Sequence, residues 1–359
     1  MTISEQYRAL KEHAVIGAVA PRNAIGVSGR DRASYLQGLL TNDIPALTPG
    51  TGCYAAWLTP QGRMLTDVHV FESGDMILLD VPAAELAATL QRLDQFLFSE
   101  DVQLADLAGT LTSVWIHGTA APALLEQTHT GAQGLASWPE YHNARATFDG
   151  EVSSKNDPRP HFPVVVGRVS QLGVPGFVVY IEPSRKADLE RALIDRGAVA
   201  AEPSVIEAAR IEAGYPVFGV DMTGDTIPLE AGIEERAISL TKGCYVGQEV
   251  IIRVLHRGHG RVARRLVALR LDGAGAVAGA KIFTGDREVG AVTSAAVSPV
   301  LGSIALGYVH RDFTEPGTAL SVEESSGLPR ATSRGRVGAV VSARPLDFAG
   351  GGPSSSAAR

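Results

Sequence analysis

The sequence predicts an α+β protein with two mixed α+β units followed by a small β-barrel. The chain has 359 residues and 45% apolar content, which is more than one typical hydrophobic core holds. Strand and helix patterns alternate up to about residue 257, whereas residues 264–343 show short strand patterns alone. No repeat at a fixed period is visible, which argues against a solenoid or a propeller.

The N-terminal part begins with one strand and one helix. Residues 24–28 are a strand candidate, and Gly29-Arg30-Asp31 turns the chain into a short helix with leucines on one face. Three strands are predicted next, at 52–59, 64–71 and 76–81, because clusters of turn residues separate them.

A stripe of leucines then predicts a second helix. The stripe consists of Leu86, Leu90, Leu93 and Leu97, at steps of four, three and four residues. A strand is predicted at 102–107. We therefore expect residues 51–111 to form one α+β unit, inserted into another.

The surrounding unit is predicted from both sides of this insertion. Its later elements are a strand at 112–117, a helix at 122–127, strands at 162–169 and 176–181, and a helix capped by Ser184 and ended by Gly197. The polar stretch 128–160 is interpreted as a loop. With residues 24–42 added, the split domain comprises 1–50 and 112–257.

The C-terminal region is predicted to be a β-barrel domain over residues 258–348. Its expected strands are at 266–271, 281–284, 288–294, 303–309, 319–322 and 336–342. Residues 349–359 are of low complexity and are expected to be a disordered tail.

Composition narrows the class of protein. The net charge of −7 argues against a general polyanion binder, so any nucleic-acid contact needs a local patch. Two cysteines supply neither a disulfide framework nor the four ligands of a typical iron–sulfur site, which favours a reducing, cytoplasmic setting. Residues 1–12 lack the apolar region of a secretory signal, and no apolar run approaches the length of a membrane span.

The richest segment is Lys242-Gly243-Cys244-Tyr245-Val246-Gly247-Gln248-Glu249. If a helix begins at Val246, the thiol of Cys244 lies just before a helix N-terminus, with Lys242 nearby. Both features favour a thiolate and therefore a reactive cysteine. The alternative is a small buried core residue, since free cysteine is often buried. Cys53, which precedes a predicted strand, is expected in the core.

This segment resembles the signature of the YgfZ family, a branch of the glycine-cleavage T-protein superfamily, and matches it from Lys242 to Glu249. Three further stretches are similar to the superfamily. They are Thr41-Asn42-Asp43, the run 209–221, and Gly290-Ala291-Val292-Thr293-Ser294 followed by 304–309. The resemblance implies two ferredoxin-like domains and a barrel in a ring around a central folate channel. It also implies a role in supporting iron–sulfur proteins and, through them, tRNA thiomodification.

Site residues follow from the resemblance. The expected catalytic residues are Cys244, Lys242 and Asp67, and the expected cofactor is tetrahydrofolate or a derivative. The expected folate-binding residues are Arg210, Glu212, Tyr215, Asp221, Gln248, Glu249, Arg253 and Arg257.

Two segments depart from the T-protein pattern. The paired acidic motif is reduced at Thr66-Asp67, so Asp67 is either the remaining catalytic acid or a polar strand residue. In 173–178, valines stand at the positions of both glutamates that hold the pterin, Val174 and Val178. A carboxylate suits a pterin because it accepts from the ring N–H and the amino group, so folate affinity should fall or depend on other groups such as Glu212 and Asp221.

A basic cluster spans Arg253 to Arg265. It is either an anion-binding loop, for a folate polyglutamate tail, tRNA phosphate or an acidic protein, or a solvated linker. No aromatic residue interleaves with it, which argues against a single-strand stacking platform. His256 and His259 lack a completing ligand, so no metal site is expected, and no nucleotide-binding motif is present.

Three functions remain open from the sequence. The first is a folate-linked maintenance factor for iron–sulfur proteins that uses Cys244. The second is a folate-dependent one-carbon transferase of aminomethyltransferase type with Asp67 as its base. The third is a binding module without turnover that docks tRNA or a partner protein through Arg253–Arg265.

Overall fold

The computed structural model describes residues 1–149, 161–257, 261–273, 275–324 and 335–346. Within these ranges the strands form a seven-stranded sheet, a five-stranded sheet and a closed six-stranded barrel. The predicted fold class, two α+β units and a C-terminal β-barrel, is confirmed.

The helices are α1 (Ile3–Glu12), α2 (Arg32–Gln37), α3 (Leu86–Gln95), α4 (Ala121–Thr128), α5 (Lys186–Ile194), α6 (Pro203–Glu212), α7 (Pro228–Ala231), α8 (Glu234–Ala237) and α9 (Gln248–Ile252). The strands are β1 (Val15–Ile16), β2 (Arg22–Ser28), β3 (Gly52–Leu58), β4 (Met64–Glu72), β5 (Met76–Pro82), β6 (Gln103–Asp106), β7 (Thr112–His117), β8 (His129–Thr130), β9 (Asn143–Asp149), β10 (His161–Arg168), β11 (Gly176–Ile181), β12 (Val199–Ala200), β13 (Arg264–Leu271), β14 (Lys281–Thr284), β15 (Arg287–Ser298), β16 (Gly302–His310), β17 (Ala319–Glu323) and β18 (Arg336–Ser342).

The five-stranded sheet has the order β3-β4-β5-β2-β6, with antiparallel neighbours throughout. One face is covered by α2 and α3, and the core between them includes Ile25, Leu36, Trp57, Val70 and Leu93. The period-two pattern of these strands therefore reflects one face packed under two amphipathic helices.

The expected place of residues 24–42 is corrected by this sheet. The sequence grouped them with the hairpin at 162–181, but β2 pairs with β5 and β6. The apolar side chains Ile25 and Val27 belong to the same core as α2. Strand β1, which the sequence did not predict, lies instead beside β7 in the other sheet.

The seven-stranded sheet has the order β12-β1-β7-β11-β10-β9-β8. Residues 128–160 were interpreted as loop, but this interpretation is wrong for β8 and β9, while residues 150–160 lie outside the described residues. Strand β9 was missed because polar residues alternate with the only two buried apolar side chains that it contributes, Ala146 and Phe148. These two residues complete the core beneath α4 and α5.

Some helices end at the glycines that the sequence predicted, whereas the predicted cap at the start of α5 is absent. Gly197 and Gly214 follow α5 and α6 with φ of 103° and 65°, the left-handed conformation that glycine allows. Ser184 does not cap α5, because its hydroxyl donates to the Glu182 carboxylate and α5 begins two residues later. Helix α1, also not predicted, begins with a capping box between Thr2 and Glu5.

The barrel closes in the order β13-β16-β15-β14-β17-β18. Its interior is filled by small and branched side chains such as Leu269, Ile282, Val309 and Val341. Helix α6 packs against β15 and β16 from outside, so it joins the barrel to the N-terminal units. Between α6 and the barrel, residues 213–257 lie across β3 and β4 and bring several polar side chains to the centre.

Candidate functional site

The centre of the molecule contains a buried network of charges on β2, β4 and β5. The Arg22 guanidinium lies between two carboxylates, with Nη1 3.1 Å from Asp67 Oδ1 and Nε 3.0 Å from Asp80 Oδ2. His69 Nδ1 lies 2.8 Å from the same oxygen of Asp80, directly across the β4–β5 register. With that proton directed to Asp80, Nε2 accepts from the Tyr215 hydroxyl at 3.3 Å.

Three tyrosines and one arginine lie beside this network, and we call them the tyrosine cage: Tyr54, Tyr141, Tyr215 and Arg236. The rings of Tyr54 and Tyr141 stack with centroids 6.3 Å apart. The Arg236 guanidinium lies 4.8 Å from the Tyr54 ring centroid and 4.4 Å from that of Tyr215. The Tyr54 hydroxyl donates to Asp67 Oδ2 at 2.9 Å, which joins the cage to the charge network.

The electrostatics of Asp67 follow from these contacts. Burial by itself would raise the pKa of Asp67, but the Arg22 guanidinium, His69 and the Tyr54 hydroxyl outweigh it and hold the pKa below its usual value. Burial raises the pKa of Tyr54 well above its usual range, so this phenol stays a neutral donor. Asp67 is therefore an ionised carboxylate with both oxygens engaged, and such a group is a weak proton acceptor.

Cys244 lies in an exposed loop. The expected helix begins at Gln248, four residues after the cysteine, and α9 has five residues. Gly247 caps it with φ of 85°, and a Cβ there would lie 2.5 Å from the Thr59 carbonyl oxygen, so only glycine fits against the β3–β4 turn. The expectation of a thiol at a helix N-terminus is thus wrong, because the motif glycine turns the chain first.

Lys242 does not face Cys244. Its ammonium group donates to the carbonyl oxygens of Gln37, Leu40 and Asn42 at 2.7, 2.5 and 2.9 Å, a set of bonds that we call the Lys242 clamp. Burial lowers the pKa of Lys242 to about 8. All three N–H groups are used at the end of α2, so the clamp fixes the cysteine loop to the first α+β unit.

Hydrogen bonds between different parts of the fold engage three residues that were expected to bind folate, Arg210, Glu212 and Asp221. Asp221 accepts from Arg210 Nη1 at 2.8 Å and from the hydroxyl of Ser294 on the barrel at 2.7 Å. Glu212 accepts from the Tyr7 hydroxyl of α1 at 2.6 Å. The carboxylates of Glu212 and Asp221, which were suggested as substitutes for the missing pterin glutamates, are engaged by α1, α6 and the barrel. Of the expected binding residues, the structure places Tyr215 in the cage.

The remaining expected residues lie on or after α9. Gln248 is half-buried at the first position of α9, and Glu249 is exposed and paired with Arg253. The side chain of Arg257 and residues 258–260 lie outside the described residues. In the rest of the basic cluster, Arg264 pairs with Glu230 at 3.2 Å and Arg265 with Glu234 at 3.4 Å, which reduces its net positive charge.

Six central residues were missed by the sequence reading: Arg22, Tyr54, His69, Asp80, Tyr141 and Arg236. A signal for part of this set was present, because Asp67 and His69 share one face of β4 with the apolar residues Leu65 and Phe71. Arg22 and Arg236 gave no such signal, since one begins a strand and the other lies in a short helix within an irregular segment.

The comparisons with known proteins agree with this architecture. Residues 1–242 match the model of the GCVT N-terminal domain, and residues 264–344 match that of the glycine cleavage T-protein C-terminal barrel domain. The chain belongs to the glycine-cleavage T-protein family. No helix among the described residues is both long and apolar enough to cross a membrane.

Several relatives are similar to this chain along most of their length. The aminomethyltransferase of Nostoc sp. is 28% identical over 333 residues, which cover 89% of this chain and 83% of the relative. That of Bacillus subtilis is 27% identical and covers 92% and 89%, and a putative chloroplastic transferase of Arabidopsis thaliana is 27% identical and covers 85% and 67%. The crystal structure of glycine cleavage system aminomethyltransferase T from Bartonella henselae superposes with a TM-score of 0.80 at 20% identity, over 97% of this chain and 89% of that one.

Proposed function

We propose that this chain is a folate-binding member of the YgfZ branch of its family. In this role it supports the assembly or repair of iron–sulfur proteins in the cytoplasm and, through them, tRNA thiomodification. The observation that carries the proposal is the contrast between its two candidate reactive groups. Cys244 is exposed on a loop that the Lys242 clamp holds in place, whereas Asp67 is 2% exposed and bound to Arg22 and Tyr54.

The composition of the tyrosine cage supports folate as the ligand. Its neutral aromatic rings suit a planar pterin, and the Arg236 guanidinium is partly exposed to receive an acceptor. The paired glutamates are replaced by Val178, which is buried in β11, and Val174, which packs against a small apolar cluster. A reduced folate supplies one-carbon chemistry when it is bound. In this chain Tyr141 and Arg236, which are partly exposed, would contact its ring, with the buried rings of Tyr54 and Tyr215 behind them.

The state of Asp67 argues for binding rather than aminomethyl transfer. A general base works best with a pKa near the operating pH, and its lone pair must be free to take a proton. The Arg22 guanidinium and the Tyr54 hydroxyl occupy both carboxylate oxygens and lower the pKa of Asp67. The network therefore shapes the folate site without offering an efficient base.

Complementation tests the proposal. In a cell that lacks its own protein of this kind, Cys244→Ala should abolish recovery of an iron–sulfur enzyme activity, because the exposed thiol is removed. Cys53→Ala is the matched control, since that thiol is half-buried in β3 and burial raises its pKa to about 12. Full rescue by Cys244→Ala would show that the thiol is not needed.

A second candidate function is a tetrahydrofolate-dependent aminomethyltransferase. It is favoured by the relatives named aminomethyltransferase, which match this chain over 89–92% of its length. The purified protein would be assayed with tetrahydrofolate and an aminomethyl donor, and with Asp67→Asn in parallel. Turnover that disappears in Asp67→Asn establishes this function, whereas no turnover in the wild-type protein rejects it.

Direct tRNA contact through Arg253–Arg265 is tested separately. A site built on phosphate contacts loses affinity steeply as salt rises. Titration of tRNA at two salt concentrations should show that slope if the cluster binds RNA. Because Arg253, Arg264 and Arg265 are already paired with glutamates, we expect weak binding with a shallow slope.

A further inference from the structure

Arg236 differs from the other arginines near the centre of the molecule. Arg22 is paired with Asp67 and Asp80, and Arg210 with Glu207 and Asp221. Arg344 donates to backbone carbonyl oxygens. By contrast, the Arg236 guanidinium lies over the rings of Tyr54 and Tyr215, and among the described residues it donates no hydrogen bond and forms no ion pair.

The position of Arg236 is fixed by its backbone. It lies on α8, which packs against β3, and its carbonyl oxygen accepts from the Asn42 side chain at 3.2 Å. The same amide group of Asn42 donates to the Tyr54 carbonyl oxygen at 2.9 Å. The planar guanidinium is therefore oriented by two rings and a fixed backbone, with its N–H groups left for a ligand.

An unpaired guanidinium in such a place selects the chemistry of its ligand. It donates and cannot accept, so it binds an edge that carries acceptor atoms. The three neighbouring phenols are neutral, because burial raises the pKa of Tyr54, Tyr141 and Tyr215. The cage therefore favours a flat conjugated ring whose edge carries a carbonyl oxygen.

We propose that Arg236 donates to the lactam carbonyl edge of the pterin ring. This inference rests on the proposed binding of folate and adds how the ring is recognised. In the T-protein pattern, glutamates accept from the N–H edge of the pterin, and Val174 and Val178 stand at those positions here. In this chain the Arg236 guanidinium on α8 binds the acceptor edge of the ring instead.

A pair of ligands that differ at this edge tests the inference. Folic acid carries a carbonyl oxygen at ring position 4, whereas its analogue aminopterin carries an amino group, which points a donor at Arg236. By calorimetric titration the wild-type protein should bind folic acid more tightly than aminopterin. In Arg236→Gln folic acid should bind about tenfold more weakly, because a charged hydrogen bond is lost, and the preference should shrink or reverse.

Two further variants keep the experiment decisive. Arg191→Gln is the matched control, since Arg191 is exposed on α5, and it should bind as the wild-type protein does. Arg236→Lys retains the positive charge without the planar fork, so its affinity for folic acid should be intermediate. Circular dichroism of each variant establishes that it is folded before titration.

The outcomes separate the inference from the proposed function. Equal binding of folic acid by the wild-type protein and Arg236→Gln overturns the role of Arg236 and leaves folate binding intact. A wild-type protein that binds neither folic acid nor tetrahydrofolate overturns both. If Arg236→Gln weakens the binding of p-aminobenzoylglutamate as much as that of folic acid, Arg236 contacts the tail of the folate. The assignment of Arg236 to the pterin ring is then wrong.

Discussion

Individual buried groups at the centre owe their charge states to their neighbours. Asp67 stays ionised because Arg22 and Tyr54 contact it, although it is almost inaccessible to solvent. Asp67 and Tyr215 were identified from the sequence because they lie in segments with a recognisable pattern. Arg22 and Arg236 were not, because their importance comes from residues that fold beside them from distant parts of the chain.

Buried histidines give the protein a predictable response to acid. His117 and His129 are almost fully buried, and burial lowers the pKa of each to about 4. In the unfolded chain these side chains take up a proton near pH 6.5, so the unfolded state binds more protons between pH 6.5 and 4. Stability is therefore full above pH 6.5 and falls as the pH approaches 4, by about 1.4 kcal/mol per pH unit for each histidine.

Urea unfolding at pH 7.5, 6.0 and 5.0 measures this loss. The variant His117→Gln removes one titrating group. The slope of its unfolding free energy against pH should therefore be smaller than that of the wild-type protein, by the equivalent of about one bound proton. His69, whose pKa burial and Arg22 also lower, still contributes in the same direction. An unchanged slope in His117→Gln would contradict the assignment to His117.

At the scale of elements, pattern alone predicted the strands and helices with one clear apolar face. The six barrel strands and the leucine stripe of α3 are examples. Strand β9 and the two-residue strands β1, β8 and β12 were not predictable, because they are short or mostly polar and gain their stability from pairing with neighbours. The exact start of α9 also escaped prediction, since Gly247 there is set by contact with the β3–β4 turn.

The Lys242 clamp predicts a local effect of mutation. Lys242→Met leaves three buried or partly buried carbonyl oxygens at and just after the end of α2 without a charged donor, so stability should fall by about 2 kcal/mol. Hydrogen exchange should also speed up at the Val246 amide, which donates to the Gly38 carbonyl oxygen, and at Ser239, which donates to Thr41.

Lys186→Met is the matched control for this experiment. Lys186 forms an exposed pair with Glu190 on α5, so its loss should change stability by about 0.5 kcal/mol or less. Fast exchange at Val246 in both variants would indicate a general loss of structure rather than release of the clamp.

At the scale of the whole molecule, Asp221 joins three parts of the fold. One oxygen accepts from Arg210 of α6 and from the Val217 amide, and the other accepts from the hydroxyls of Thr293 and Ser294 in β15. The sequence predicted that this residue matters, as part of a family segment, but assigned it to folate. Its partners lie more than 70 residues away on the barrel, and no local pattern reveals them.

Asp221→Ala should both destabilise and uncouple the barrel. It leaves Arg210 buried with one carboxylate partner, which costs about 3 kcal/mol. All three tryptophans, Trp57, Trp115 and Trp138, lie outside the barrel, so their fluorescence follows the two sheets, whereas far-ultraviolet circular dichroism follows the whole chain. In urea the two signals should coincide for the wild-type protein and separate for Asp221→Ala.

Asp225→Ala provides the comparison for that variant. Asp225 is 87% exposed and pairs with Arg63 at the surface, so both signals should stay together and near the wild-type midpoint. Coincident transitions in Asp221→Ala would show that apolar packing of α6 is enough to couple the barrel.

The Lys242 clamp also constrains the order in which the protein is completed during synthesis. The carbonyl groups that receive Lys242 belong to residues translated about 200 positions earlier. Until the ribosome has released the segment around residue 242, those carbonyl groups lack the Lys242 ammonium group as their donor. The loop that carries Cys244 therefore takes its final place only when Lys242 reaches the end of α2, so this loop is fixed late in synthesis by a part of the chain that was made early.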